Sequence, residues 1–370
     1  MTILIAANTS WNLVHFRGNL IRRLQARGYR IVACAPRDEF TESLIEMGVS
    51  YHETPMRQRG LGIASDLSLF VRYFMTVWRH KPHALITFTI KPNLYLSLVA
   101  RLLGVPAINN ISGLGYAFLK HGLLRSFVTM LYRLSLKRSS RVFFQNPSDY
   151  DLFRRAGLVS ELQSRLLPGS GVDLSRFTLT PFEKAKRTKF LFIGRLLPEK
   201  GIMEFLDAAT ILVGQCEDIE ILILGALPEN PALAAKVGAK INQLGNRGRY
   251  LGVLRDVRPA ISECHCVVLP SYREGAPRSI LEASAMGRPV IVSDVPGCVD
   301  VVKPDVSGLL CVPGDTADLA KKMLQMNRLS HDQRVRMGRA GSEFVRGAFD
   351  EQFVLSAYEE AVEMALDKSA

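Results

Sequence analysis

The chain has 370 residues, 48% of them hydrophobic and 22% charged, which excludes a disordered protein and predicts a soluble globular one of about two domains. The formal net charge is +12, and the whole excess sits in the first half. Residues 1–172 carry 22 Lys or Arg against 9 Asp or Glu, whereas residues 173–370 carry 25 against 26. One-sided basicity points to an anionic partner such as lipid headgroups, a phosphorylated substrate or nucleic acid. The six cysteines show no CxxC spacing and read as reduced cytosolic thiols.

In chain order, residues 1–7 are apolar with no basic segment before them and read as a first strand rather than a signal peptide. No run of about eighteen apolar residues occurs, so no membrane span is expected. Residues 16–26 read as a helix, and 30–35, 84–88, 107–110 and 141–145 as further buried strands. Unbroken apolar strands separated by helices predict parallel sheets covered on both faces. Residues 173–188 are polar, charged and contain Pro181, the composition of an interdomain linker. The strand pattern restarts at 189–193, 220–224, 266–269 and 289–292, and 351–366 reads as a final amphipathic helix. The expected architecture is α/β, two doubly wound Rossmann-like domains facing a cleft. The domains are residues 1–172 and 189–350, joined by a linker at 173–188, with 351–370 packing back on the first. Ligands in such sheets bind beyond the carboxyl ends of the strands. No Gly-x-Gly-x-x-Gly follows the first strand, which weighs against a dinucleotide-dependent dehydrogenase. Cys264-His265-Cys266 has the look of a metal clip, but with no second ligand pair nearby a core role for the cysteines is preferred.

Three segments of the second half each follow a predicted strand. In Gly194-Arg195-Leu-Leu-Pro-Glu-Lys200-Gly201, two cations five residues apart on one strand-to-helix loop can grip a diphosphate, Arg through its planar fork and Lys as a point charge. The alternative is a solvated turn. Gly252-Val253-Leu254 offers a strand end where glycine admits a flat base close to the backbone. In Glu274-Gly275-Ala276-Pro277-Arg278-Ser279-Ile280-Leu281-Glu282, a tight turn precedes a helix start near Arg278 or Ser279, whose backbone N–H groups and dipole suit a phosphate. Glu282, one turn in, can accept from ribose hydroxyls, and Glu274 from hydroxyls of a sugar.

These residues resemble the retaining GT-B glycosyltransferases of family 4. Glu274 and Glu282, with seven residues between them, match that family's paired glutamates, and Gly194-Arg195 with Lys200-Gly201 match its diphosphate-binding Arg and Lys. Gly308-Leu309-Leu310 with Pro313-Gly314-Asp315 match the stretch that follows. In the first half, Asn8-Thr-Ser-Trp11-Asn12, Lys91-Pro92-Asn93, Asn109-Asn110-Ile-Ser112-Gly113 and Pro168-Gly-Ser-Gly-Val-Asp173 resemble a bacterial branch. That branch builds capsule, exopolysaccharide, O-antigen or glycoprotein glycans on undecaprenyl diphosphate, and includes enzymes resembling the N-acetylgalactosaminyltransferase that extends lipid-linked bacillosamine. The resemblance implies a UDP-sugar donor, a polyprenyl-diphosphate-linked acceptor and no metal or other cofactor. It implies a cytoplasmic enzyme, peripheral on the inner face of the plasma membrane. It assigns catalysis to Arg195, Lys200 and Glu274, and donor binding to Gly194, Leu254, Gly275, Ala276, Pro277, Ser279, Ile280 and Glu282. Where many members carry a Gly-Gly loop after the first strand, Asn8 to Trp11 stand here without glycine. Where many carry a histidine, the stretch Asn109 to Ser112 stands, so no first-domain catalytic histidine is carried over. The acceptor-side candidates are Asn8, Trp11, His15, Arg17, Lys91, Asn110 and Ser112, with Arg57 and Arg59 as further cations for the acceptor's diphosphate.

Two apolar stripes recur at helical spacing: Ile63, Leu67, Phe70, Val71, Phe74 and Trp78, and Leu123, Leu124, Phe127, Met130, Leu131 and Leu134, the second amid Lys and Arg. A basic amphipathic helix can lie on an anionic membrane. For the first stripe a core-facing role is preferred; the second suits core and membrane equally. Two other functions compete. A nucleic-acid-binding protein explains the charge but not the paired glutamates, and aromatic platforms are sparse. A sugar-nucleotide epimerase on the same fold would consume the donor with no lipid acceptor.

Overall fold

The computed structural model describes residues 1–56, 62–113 and 123–367; Arg57 and Arg59 lie outside them. The chain divides into two compact units, Met1–Ser170 with Gln352–Ala370, and Gly171–Glu351.

The first unit is built on seven strands: β1 (Thr2–Ala6), β2 (Arg30–Ala35), β3 (Ser50–Glu53), β4 (Ala84–Phe88), β5 (Ala107–Ile111), β6 (Arg141–Phe144) and β7 (Ser164–Leu166). They form one parallel sheet in the order β3-β2-β1-β4-β5-β6-β7. Side chains alternate across it. Ile3 and Ile5 face a core shared with the helices Ser10–Ala26 and Glu351–Asp367. Leu4 and Ala6 face a second core, closed by the helices Ile63–His80, Ser97–Leu103, Leu123–Leu136 and Pro147–Arg155. The preference for the core at Leu67, Val71, Phe74 and Trp78 is overturned: all four are exposed. Leu69, Tyr73 and Val77, on the opposite side of the same helix, are buried instead. Both stripes satisfy helical spacing, so periodicity alone does not choose between them.

The C-terminal helix is an integral part of the first unit. Tyr358 packs against Phe143 and Phe88, and its hydroxyl accepts from Asn110 Nδ2 at 2.6 Å. Arg23 and Arg27 both donate to Glu359, and the hydrogen bond from Arg23 is the main reason its carboxyl titrates below the ordinary range. The helix starts where the chain leaves the second unit. There Val172 pairs with Asp350 in a parallel bridge, its N–H donating to Phe349 O at 2.9 Å. Gly171 sits at φ +70°, and a Cβ on it would fall 2.5 Å from the Glu351 Cα, so this crossing accepts only glycine.

The second unit holds β8 (Thr188–Ile193), β9 (Ile219–Leu224), β10 (Gly248–Tyr250), β11 (Cys266–Leu269), β12 (Val290–Ser293) and β13 (Gly308–Cys311). All are parallel, in the order β10-β9-β8-β11-β12-β13. Residues 173–188, expected as a linker, belong to this unit and are fastened by Arg288. That guanidinium is fully buried and donates to the carbonyls of Thr180, Pro181, Ile261, Ser262 and Met286 and to Thr180 Oγ1. His265 adds a second tie. Its Nδ1 accepts the Lys189 N–H at 3.0 Å, which leaves Nε2 to donate to Glu183 O at 3.1 Å. Burial pushes this imidazole down to about 4. Its neighbours Cys264 and Cys266 are core residues whose thiols burial raises. Among the described residues no helix is long and apolar enough to cross a membrane.

Two stability measurements follow. Arg288→Met leaves five carbonyls, those of Ile261 and Met286 buried, short of a charged donor, and urea unfolding should show a loss of about 3 kcal/mol or more. For His265, the folded value lies below the unfolded 6.5, so the unfolded chain binds the extra proton between them. Stability linked to it is complete above about pH 6.5 and falls as pH drops towards 4, by on the order of 3 kcal/mol. Unfolding curves of His265→Gln across that window should lose most of this slope.

Candidate functional site

In the second unit the strand order reverses between β8 and β11: the chain runs outward from β8 through β9 to β10, then returns to β11 and runs the other way. Loops leaving the carboxyl ends of two such neighbours converge, and ligands bind there. After β8 come Gly194 and Arg195, a 3₁₀ turn at Pro198–Lys200, and the helix Ile202–Gln215. Gly201 joins turn to helix at φ +73°, and a Cβ on it would sit 2.0 Å from Pro270 O. Glycine therefore lets the first loop press directly against the second. The Tyr272 N–H also donates to Glu199 O at 3.1 Å.

This approach brings Lys200 and Glu274 together. Lys200 Nζ donates to Glu274 Oε1 at 2.5 Å, and Ser271 Oγ donates to the same oxygen at 2.7 Å. Ser271 is fully buried, and the Glu274 backbone N–H reaches Pro296 O at 3.3 Å. Ser271 was not among the sequence candidates, although its place three residues before Glu274 is visible in Pro270-Ser271-Tyr-Arg-Glu274. The Arg195 side chain is exposed and has no hydrogen-bonding or ionic partner among the described residues.

The second loop ends in the helix Arg278–Ala285, with Pro277 at its N-cap position and no side chain capping it. Its positive end is thus left to backbone groups. Ile280 does not present its side chain here: it is buried in the core, and its N–H donates to Pro277 O. Glu282 is buried, and Arg278 Nε donates to its Oε1 at 2.7 Å. Burial pushes the Glu282 carboxyl up, and Arg278 opposes that shift. Arg176 and Asp256 also act on Glu282 electrostatically, and Asp256 is clamped by Arg258; sequence reading singled out none of these three. Leu254 lies beyond β10, at the far edge of the sheet, and is exposed. Asp315 of the Pro313-Gly314-Asp315 stretch caps the helix Thr316–Arg328.

The acceptor-side candidates separate into two groups. Three are committed inside the first unit. Arg17 is buried with its guanidinium 4.1 Å from the Phe88 ring centroid. Lys91 is buried and donates to Asp66 Oδ1 at 2.7 Å, so its charge is already matched. Asn110 spends its amide on the Tyr358 hydroxyl and accepts from Gln145 Nε2 at 3.1 Å. The Lys91 charge is thus matched by Asp66, whereas Arg17 rests on a ring face and keeps its buried Nε without a hydrogen bond. The others lie nearer the surface. Trp11 is exposed on the first turn of Ser10–Ala26, its ring stacked on His15 at 5.1 Å and edge-on to Phe16 at 5.0 Å. His15 in turn meets Phe40 at 4.8 Å. Asn8 and Ser112 are half-buried just beyond β1 and β5.

Residues 15–168 match the family model described as a glycosyl transferase 4-like domain, and residues 187–328 the model described as glycosyl transferases group 1. The N,N'-diacetylbacillosaminyl-diphospho-undecaprenol alpha-1,3-N-acetylgalactosaminyltransferase of Campylobacter jejuni is 27% identical over 359 residues, 92% of each chain. The UDP-Gal:alpha-D-GlcNAc-diphosphoundecaprenol alpha-1,3-galactosyltransferase of Escherichia coli is 26% identical over 69% of each chain. Among solved structures, sucrose-phosphate synthase from Thermosynechococcus elongatus shares the fold at a TM-score of 0.79 and 17% identity, covering 100% of both chains. Anabaena HepE in complex with UDP and glucose does so at 0.78 and 19%, covering 98% of this chain and 99% of that one. With one such domain on each sheet and this fold throughout, the chain belongs to the GT-B glycosyltransferases, of the 4-like and group 1 families.

Proposed function

We propose that the protein is a retaining glycosyltransferase. It moves a hexose or N-acetylhexosamine from a UDP-sugar to a polyprenyl-diphosphate-linked saccharide, in bacterial surface polysaccharide or glycoprotein glycan synthesis. The observation that carries this is the meeting of Lys200 with Glu274 where the loops after β8 and β11 come together, with Arg195 on the first loop and the uncapped start of Arg278–Ala285 at the end of the second. The names of the Campylobacter jejuni and Escherichia coli relatives, both acting on undecaprenol-diphosphate-linked sugars, support the acceptor class. A lipid-linked acceptor also supports a place on the inner face of the plasma membrane, held peripherally.

In this reading the bond between the sugar's anomeric carbon and the donor's diphosphate oxygen breaks, leaving negative charge on the phosphate. Arg195, Lys200 and the helix start stabilise that charge as fixed, preorganised donors. The acceptor hydroxyl forms the new bond on the same face, and its proton passes to the departing phosphate oxygen. Glu274, its Oε1 held by Ser271 and Lys200, orients the sugar's hydroxyls; Glu282 takes the ribose. No step calls on a metal.

Lys200→Ala should lower kcat/KM for donor by about 10²-fold or more; near-full activity at subsaturating donor removes Lys200 from this role. Ser271→Ala withdraws one of two donors from a carboxylate, and about a tenfold to hundredfold loss in kcat/KM is expected with the fold intact by unfolding midpoint. Product analysis tests the reaction itself. A panel of UDP-sugars with lipid-diphosphate-linked acceptors, read by NMR, should give a product whose anomeric configuration matches the donor. Inversion overturns retention, and conversion of the donor to another sugar nucleotide without acceptor makes the protein an epimerase.

A further inference from the structure

The helix Ile63–His80 shows two faces. Leu69, Tyr73 and Val77 are buried against the sheet, while Leu67, Val71, Phe74, Met75 and Trp78 are exposed, Leu67 at 63% and Trp78 at 68%. At 3.6 residues per turn the exposed five fall within an arc of about 100° opposite the buried three. Two further helices of this layer extend the surface. Leu102, near the end of Ser97–Leu103, is 67% exposed. Phe127, Met130 and Leu134 are exposed on Leu123–Leu136, whose Val128, Tyr132 and Leu136 fill the core beneath. Scattered surface hydrophobes need no explanation, but a run of large ones across one layer marks a docking face.

The charges choose the partner. Between Glu53 and Asp149 the sequence has thirteen Lys or Arg and a single carboxylate, Asp66. That carboxylate is buried and bonded to Lys91. The described residues of these three helices therefore expose no carboxylate, while Arg72, Arg79, Arg133, Lys137 and Arg138 are exposed on them and just beyond them. A protein partner would meet both signs of charge at a polar rim. Exposed Trp, Phe, Leu and Met with cations alone suit the headgroup region of an anionic bilayer, where rings and aliphatic chains enter the acyl boundary and Lys and Arg stay with phosphates.

We propose that this face of the first unit, formed by the helices Ile63–His80, Ser97–Leu103 and Leu123–Leu136, docks on anionic lipid. It gives a location to the lipid-linked-acceptor reading and rests on that reading only for its purpose. The test contains neither donor nor acceptor, so either can fail alone.

The full chain is sedimented with vesicles of phosphatidylcholine, with and without 30% (about one third) phosphatidylglycerol. Binding to the anionic vesicles, weakened by salt, is expected. Replacing Phe74→Glu together with Trp78→Glu should lower the bound fraction at least about tenfold, since two apolar anchors are lost and two like charges face the lipid. Both positions are exposed, so the unfolding midpoint should stay near that of the parent. With Trp11→Phe, Trp78 is the sole tryptophan, and its emission should shift to the blue on anionic vesicles. Absence of wild-type binding, or equal binding by the double variant, overturns the proposal. So does a parent that is dimeric in solution while the double variant is monomeric, which would make the face a contact between copies.

Discussion

Parallel pairing of β8 with β11 is the constraint on which the candidate site depends. Because the two strands run the same way and lie side by side, their carboxyl ends emerge together, although the residues that follow them are more than seventy positions apart in sequence. Each following loop then needs a short route into a helix. Gly201 supplies one by accepting a left-handed conformation and by leaving room for Pro270 O. Pro277 supplies the other by starting a helix without a side-chain cap. Lys200 meets Glu274 as a consequence of backbone geometry, before any ligand is considered.

The site that results is compensated in its resting form. Lys200 shares an oxygen of Glu274 with Ser271, and Arg278 covers Glu282. Two acid–base pairs result, Lys200 with Glu274 between the two loops and Arg278 with Glu282 on the helix that the second loop opens. In the function proposed above, a donor carrying a diphosphate and hydroxyls would offer each pair a replacement for what it already holds: phosphate oxygens for Lys200, hydroxyl protons for the carboxylates. Such an exchange of partners costs less than desolvating bare charges. It also places selectivity in ligands that satisfy both members of a pair at once.

The central strands and the loops after β8 and β11 were legible in the sequence, because buried parallel strands are continuous apolar runs and the loops carry rare combinations of glycine, cations and glutamates. The edge strands were not. Three of the four, Ser50–Glu53, Ser164–Leu166 and Gly248–Tyr250, are short and largely uncovered, so they lack the apolar signature of their neighbours. The helix Ser10–Ala26 begins six residues earlier than its apolar periodicity suggests, because Thr9 caps it by accepting from the Asn12 N–H. The fate of a cation was illegible as well. Lys91 and Arg17 have the same composition-level meaning as Arg195, yet Asp66 and the Phe88 ring absorb the first two. Their partners lie 25 and 71 residues away, and only the fold brings them close. The linker reading failed for a similar reason: the carbonyls of 180–181 look solvent-facing until Arg288, over a hundred residues on, is seen to bind them.

The C-terminal helix has a consequence for how the chain is made. Gln352–Ala370 belongs to the first unit, whereas Gly171–Glu351 forms a complete second one. A ribosome therefore releases every residue of the second unit before it releases the helix that closes the first. Until then the sheet face lined by Ile3, Ile5, Ile86 and Phe143 lacks Tyr358 and its neighbours, and Asn110 lacks a hydroxyl 248 positions downstream. Domains fold as units during synthesis, so the second unit has all its residues while the first still lacks the helix Glu351–Asp367 on that face. The half of the chain that is made first is the last to receive all of its packing partners.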